Sequence, residues 1–190
     1  MTFVHAWAQD AVSLASGADA AFLCNVIHQM PPPERHGVCT AAYQMLKPGG
    51  RLGVSTLFCE GSISPATRRF YLLWMQGVRT YLKAHGADMN VMRVKPASLQ
   101  FFTATEHREL LTQSGFTQVE VEEPVVPWSP EDWQALSMYS VFIQGALGPE
   151  IDPALGSEAL RATAAGVYEK LGVTQVPRGW VHVVGRKPRG

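Results

Sequence analysis

Residues 22–30 read FLCNVIHQM, so Asn25, His28 and Gln29 follow directly on an apolar run. An imidazole titrates near neutrality and can take or give a proton in a reaction. A carboxamide offers both a donor and an acceptor. In open α/β sheets, ligands bind beyond the carboxyl ends of the strands. A strand that ends in such a cluster therefore reads as one wall of a cofactor and substrate cleft. Plainer roles exist for both residues. Asn25 could be a buried amide that satisfies local backbone groups, and His28 a structural histidine bonded to the proline-rich loop behind it.

The remaining reactive side chains form no second constellation. Cys24, Cys39 and Cys59 are an odd set without metal-ligand spacing. They fit a reducing, cytoplasmic setting, with Cys24 in the core. His36, His85 and His107 have no metal-site spacing either, so no metal is expected, and His107 is expected exposed in the first turns of a helix. Tyr71, Trp74, Trp133, Tyr139 and Phe142 could line an apolar lid over an acceptor. Aromatic residues at helical spacing are more often plain core.

These candidates need elements to hold them. Residues 20–27 are apolar without alternation, as in a parallel strand covered on both faces. Residues 31–50 then read as a helix with proline in its first turn, stopped by Pro48-Gly49-Gly50. RLGVSTLF is the next buried strand. Strand, helix and strand at these lengths make a βαβ unit with a right-handed crossover. The polar exit at Asn25–Gln29 then lies beside the end of the second strand, near Thr56.

Residues 2–7 read as a short strand and 8–19 as a loop with a helical turn. A long helix follows from Ser64, with Phe70, Leu73, Trp74, Val78 and Tyr81 on its apolar face. Arg68, Arg69 and Lys83 fall on its solvated side. The segment 86–102 reads as irregular. Thr103 and Glu106 form a capping box for the next helix, which Gly115 closes. FTQVEVEEPVV reads as one strand near a sheet edge. One helix is expected from Ser129 to Gly148, another over about 157–171, and RGWVHVVGRKP as a last strand.

The chain has 190 residues, with 16 basic and 16 acidic side chains. That is enough for one domain with a real core. The charge balance gives no field favouring nucleic acid or an anionic membrane. No apolar run reaches the roughly 18 residues of a membrane span, and the first residues lack a secretory pattern. A small-molecule partner fits best.

Four segments carry a resemblance to the class I S-adenosylmethionine-dependent methyltransferases. They are GADAAFLCNVIHQM, MLKPGGRLGVS, HRELLTQSGFTQVEVEE and WVHVVGRKP. They resemble, in order, the family's fourth strand with its polar exit, its approach to the fifth strand, its helix-Gly-Phe-strand unit and its final antiparallel strand. The resemblance implies an α/β, Rossmann-like methyltransferase sheet, truncated at the N-terminus. It would be mostly parallel, with an antiparallel C-terminal strand and helical insertions at about 62–102 and 129–172 in a single partial domain, 1–190. It implies S-adenosylmethionine as cofactor and a small-molecule acceptor. AWAQDA resembles the stretch after the family's third strand. That places Asp10, with Ala11 beside it, at the adenine, unless Asp10 merely caps a helical turn. Asn25 would border the cofactor. His28 would face the methyl group as the catalytic base for a hydroxyl-like acceptor.

The family's glycine-rich loop and the acid after its second strand have no counterpart here. Gly49, Gly50 and Gly53 precede a strand, whereas a cofactor loop follows one and opens a helix. The chain reads as starting near the family's third strand, through a misplaced start, a fragment or a split enzyme. The expected function is a methyltransferase or its C-terminal part. The alternative is a non-catalytic partner of a split methyltransferase. A nicotinamide enzyme is disfavoured by the missing Gly-x-Gly-x-x-Gly. Without its family neighbour, the 20–27 strand needs cover from residues 2–7, a complementary N-terminal chain or a second copy in a homodimer.

Overall fold

The computed structural model describes residues 2–88 and 101–189. Most of the segment read as irregular, 86–102, lies outside the described residues. Contacts divide the chain into two units. One holds Met1–Ser62, Gln100–Pro124 and Gly179–Gly190, and the other Ile63–Leu99 and Val125–Arg178.

The first unit is a four-stranded sheet in the order β1-β2-β6-β3. Its strands are β1 (Ala18–Cys24), β2 (Leu46–Thr56), β3 (Thr117–Glu122) and β6 (Val181–Arg186). β1 and β2 are parallel, joined by helix α2 (Pro32–Met45) as the βαβ reading requires. β6 is antiparallel to both β2 and β3, so β1, β2 and β3 share one direction and β6 opposes them. This is the α/β, Rossmann-like arrangement the sequence implied. The turn α1 (Ala11–Leu14) and helices α2 and α4 (Ala104–Gln113) complete the unit. Thr103 and Glu106 form the capping box at the start of α4. The core is Leu52, Val54, Val181 and Val183 from the sheet against Cys39, Ala42, Leu110 and Leu111 from α2 and α4. Burial pushes the Cys39 thiol up to about 12, so it stays a neutral core residue.

Several local expectations change. Residues 2–7 form no strand, and Phe3, Val4 and Trp7 are exposed. β1 is not buried on both faces: Phe22 is 73% exposed and Cys24 is exposed. The strand is the sheet's outermost, and Ala18, Ala21 and Leu23 are its residues that meet the core. α2 stops at Met45, and Lys47-Pro48-Gly49-Gly50 belongs to β2, where the β1 register shifts to take up the extra residues. The strand expected over FTQVEVEEPVV is two, because β4 (Val125–Trp128) leaves the sheet to pair with β5 (Val176–Gly179).

The second unit packs α3 (Pro65–Ala84) on α7 (Pro153–Leu171), with α5 (Pro130–Leu136) and α6 (Ser140–Leu147) against α7. The helix expected from Ser129 to Gly148 is broken at Ser137–Tyr139. Phe70, Trp74, Val78 and Leu82 of α3 are fully buried, which follows from their helical spacing. Trp133 and Trp74 are fully buried with them, while Tyr139 is 67% exposed. Trp74 and Trp133 are therefore core side chains rather than lid surface.

Candidate functional site at the ends of β1 and β2

β1 ends by turning sharply. Asn25 takes a left-handed backbone, φ 52°, a conformation asparagine tolerates better than most residues. Its N–H donates to Ser55 O at 2.6 Å, the last rung of the parallel ladder. Its Oδ1 accepts from Leu57 N–H at 3.3 Å and lies 3.4 Å from Thr56 Oγ1. Asn25 thus ties the exit of β1 to the exit of β2. The 3-10 turn Ile27–Gln29 then returns His28 over the same point, with Nδ1 3.0 Å from Thr56 Oγ1. The Phe58 ring packs on the imidazole, centroids 4.3 Å apart, and Phe58 N–H donates to Thr56 Oγ1 at 3.1 Å.

Thr56 has one hydroxyl proton and two candidate acceptors. If it goes to His28 Nδ1, the imidazole proton sits on Nε2. If it goes to Asn25 Oδ1, His28 donates from Nδ1 and Nε2 carries a lone pair. The tautomer of His28, and whether Nε2 gives or takes a hydrogen bond, is therefore coupled to Asn25 through one hydroxyl. Replacing Thr56 by Val leaves His28 Nδ1 and Phe58 N–H without this partner. The expected cost is roughly 1–3 kcal/mol, read as a lower urea midpoint; an unchanged midpoint would remove the hydroxyl from this role.

His28 is buried, and its pKa falls from 6.5 to about 4. Burial is the main cause, followed by the positive fields of Arg35 and His107. Arg35 is fully buried, donates from Nε to Met30 O at 3.0 Å and lays its guanidinium over Phe102 at 4.2 Å. It anchors the loop that carries His28 and keeps the imidazole neutral at neutral pH. His28 is therefore a hydrogen-bonding group and a weak base.

His107 lies far from where the sequence put it. It is 1% exposed, because it shares a helix face with Leu110 and Leu111, which enter the core. Neither ring nitrogen has a hydrogen-bond partner among the described residues, and Phe102 packs edge-on at 5.6 Å. Its pKa also falls to about 4, by burial first and then Arg35.

The structure brings Asn25 and His28 together around Thr56. Asp10 and Ala11 sit apart in the N-terminal turns, which pack on α2. Asp10 is exposed, and its side chain makes no cap bond. Phe58 and Arg35 are the site residues that sequence reasoning did not single out, whereas the end of the second strand near Thr56 was expected beside Asn25–Gln29.

No family model and no curated protein matches the chain. Solved structures do resemble it. A SAM-dependent methyltransferase from Archaeoglobus fulgidus is 13% identical, with TM-score 0.46, over 97% of this chain and 66% of that one. Phosphoethanolamine N-methyltransferase 2 of Haemonchus contortus, in complex with S-adenosyl-L-methionine, is 14% identical, with TM-score 0.41, over 90% and 33%. The [4+2]-cyclase SpnF is 21% identical, with TM-score 0.42, over 93% and 52%. The chain thus spans between one third and two thirds of the length of these proteins. At such identities and scores, the likenesses settle neither a reaction nor a substrate.

Proposed function

We propose that the chain is an S-adenosylmethionine-dependent methyltransferase, or the C-terminal part of one, acting on a small-molecule acceptor. One observation carries the reading: two adjacent parallel strands end together at Asn25, His28 and Thr56. Ligands of open α/β sheets bind at that place. The donor set fits the cofactor in kind. An amide, a hydroxyl, a neutral imidazole and the Phe58 ring offer a nucleoside polar and stacking contacts, and the imidazole carries no charge at neutral pH to repel a sulfonium. Asn25 would border the nucleoside, and Asp10 with Ala11 would meet the adenine. The bound cofactor would supply an activated methyl group. His28 would hold an acceptor hydroxyl by Nε2 and take its proton as the group leaves neutrality, a role within reach of a weak base because the donor is already activated.

The test is a titration of the labelled protein with S-adenosylhomocysteine, followed by amide shifts. Without a glycine-rich loop after a strand, the expected binding is weak but saturable, with shifts at Asn25, His28, Thr56 and Phe58. No shift at the highest soluble ligand concentration would overturn the cofactor reading. Tight binding by the chain alone would overturn the idea that its cofactor site is incomplete.

The second reading is a non-catalytic partner that completes a split methyltransferase. The open edge of β1 favours it. Saturable binding without methyl transfer to hydroxyl, amine or carbon acceptors would support this reading over the first.

A further inference from the structure

The two edges of the four-stranded sheet are built differently. At the β3 edge, the register shifts between Thr117 and Glu120, and Gln118 takes φ 49°. Glu120 and Glu122 are exposed there, and Glu123-Pro124 follow. A bulge, repeated like charge and a proline are the devices by which proteins stop an edge from pairing. The β1 edge lacks the charge run and the proline, and where its register shifts between Ala18 and Ala20 the extra residues lie in β2, on the inner side. It runs for seven residues, Ala18–Cys24, without proline or a left-handed residue. Its one charged side chain, Asp19, is paired with Lys47.

The phase of the open edge can be fixed. Asn25 N–H faces β2, so Leu23 and Ala21 face β2 as well. The N–H and C=O groups of Ala20, Phe22 and Cys24 therefore point away from the sheet. These same residues carry the exposed side chains of the strand.

We propose that this edge pairs with the β1 edge of a second copy, antiparallel about a twofold axis through Ala21, to make one continuous eight-stranded sheet. Full overlap of the seven residues puts Ala20 opposite Phe22 of the second copy and Ala18 opposite Cys24. Ala20 and Phe22 both point outward, so they meet as a hydrogen-bonded pair, and the axis generates the same pair again. A second copy suits the edge for reasons on the strand itself. Each large Phe22 meets a small Ala20, and no like charges fall opposite one another. The chain as a whole has balanced charge, so two copies feel no long-range repulsion. Phe22 already leans over Gly53, where an added Cβ would come within 2.9 Å of its ring. Its aromatic surface is thus held beside the edge rather than across it. The interface is small, so the dimer is reversible. This proposal concerns the edge and not the cleft, and it stands or falls without reference to cofactor binding.

The experiment is sedimentation equilibrium of the whole chain over a concentration series, with amide hydrogen exchange. Mass is expected to rise towards the dimer with concentration, and the Ala20, Phe22 and Cys24 amides to gain protection as it does. Phe22→Lys puts a charge on the edge, and Ala20→Pro removes an outward N–H that β2 does not use. Each is expected to weaken the dimer roughly tenfold or more, with circular dichroism unchanged for at least the Phe22→Lys chain. Glu120→Ala, at the opposite edge, leaves it intact. A monomer at every concentration, with these amides exchanging freely, overturns the proposal. So does a dimer that a folded Phe22→Lys chain still forms with full affinity.

Discussion

Between pH 6.5 and about 4, the folded protein will lose on the order of 4 kcal/mol of stability. His28 and His107 are the source. In the unfolded chain each takes a proton below about 6.5, the ordinary value for histidine. In the fold each resists protonation until about 4, because burial and the Arg35 charge disfavour the imidazolium. Across that window the unfolded state binds more protons, so stability falls as the pH falls. Below the folded values both states are protonated and the loss levels off. A shift of this size is worth roughly 3 kcal/mol for one histidine. The sum is smaller because the two sites are coupled: part of the His28 shift is itself the His107 charge. Glu106 acts in a different window. Its bonds to Thr103 hold its carboxylate below the usual range, so its share is lost only under more acid conditions.

The measurement is the urea midpoint across a pH series. His107→Leu should flatten the slope by about half, since one of the two groups is gone. It should cost little at neutral pH, because neither ring nitrogen of His107 has a partner to lose among the described residues. A slope identical to that of the unaltered chain would show that His107 is not held neutral.

The second large effect is in the helical unit. Trp133→Ala should destabilise by about 3–5 kcal/mol. Trp133 is fully buried, stacked on Phe70 at 4.9 Å and edge-on to Trp128 at 4.7 Å, Tyr71 at 5.1 Å and Trp74 at 5.4 Å. Its indole N–H donates to Tyr168 Oη at 2.8 Å, and that hydroxyl donates to Trp128 O at 2.7 Å. Alanine therefore opens a cavity among four rings and removes the first link of a buried chain of hydrogen bonds. Trp133→Phe keeps much of the stacking and loses the N–H, so its expected cost is about 1–2 kcal/mol. Unfolding followed by circular dichroism gives both values. A Trp133→Ala chain within about 1 kcal/mol of the original would mean that the cluster collapses to fill the space.

What the sequence read correctly was local. The α4 capping box needs only Thr103 and Glu106, three residues apart, and the buried face of α3 needs only a repeat of three and four. Even the parallel direction of β1 and β2 follows from the length of one intervening helix. Where local chemistry is ambiguous, the reading slipped. The Lys47–Gly50 stretch reads as a helix stop but extends a strand. The Ser129–Gly148 run reads as one helix but breaks at Ser137–Tyr139, because nothing in the apolar pattern marks the change of direction.

The candidate site divides in the same way. That Asn25 and His28 stand at a strand exit was already present in the order of residue types along the chain. Their shared hydroxyl is 28 residues beyond His28, and only folding brings it within 3.0 Å. Burial belonged to the tertiary structure altogether. Phe22 is apolar yet exposed because no element among the described residues lies over its side of β1, whereas His107 is polar yet buried because its helix face meets the core. Residue type sets what burial costs, while the packing of distant segments decides which groups bear it.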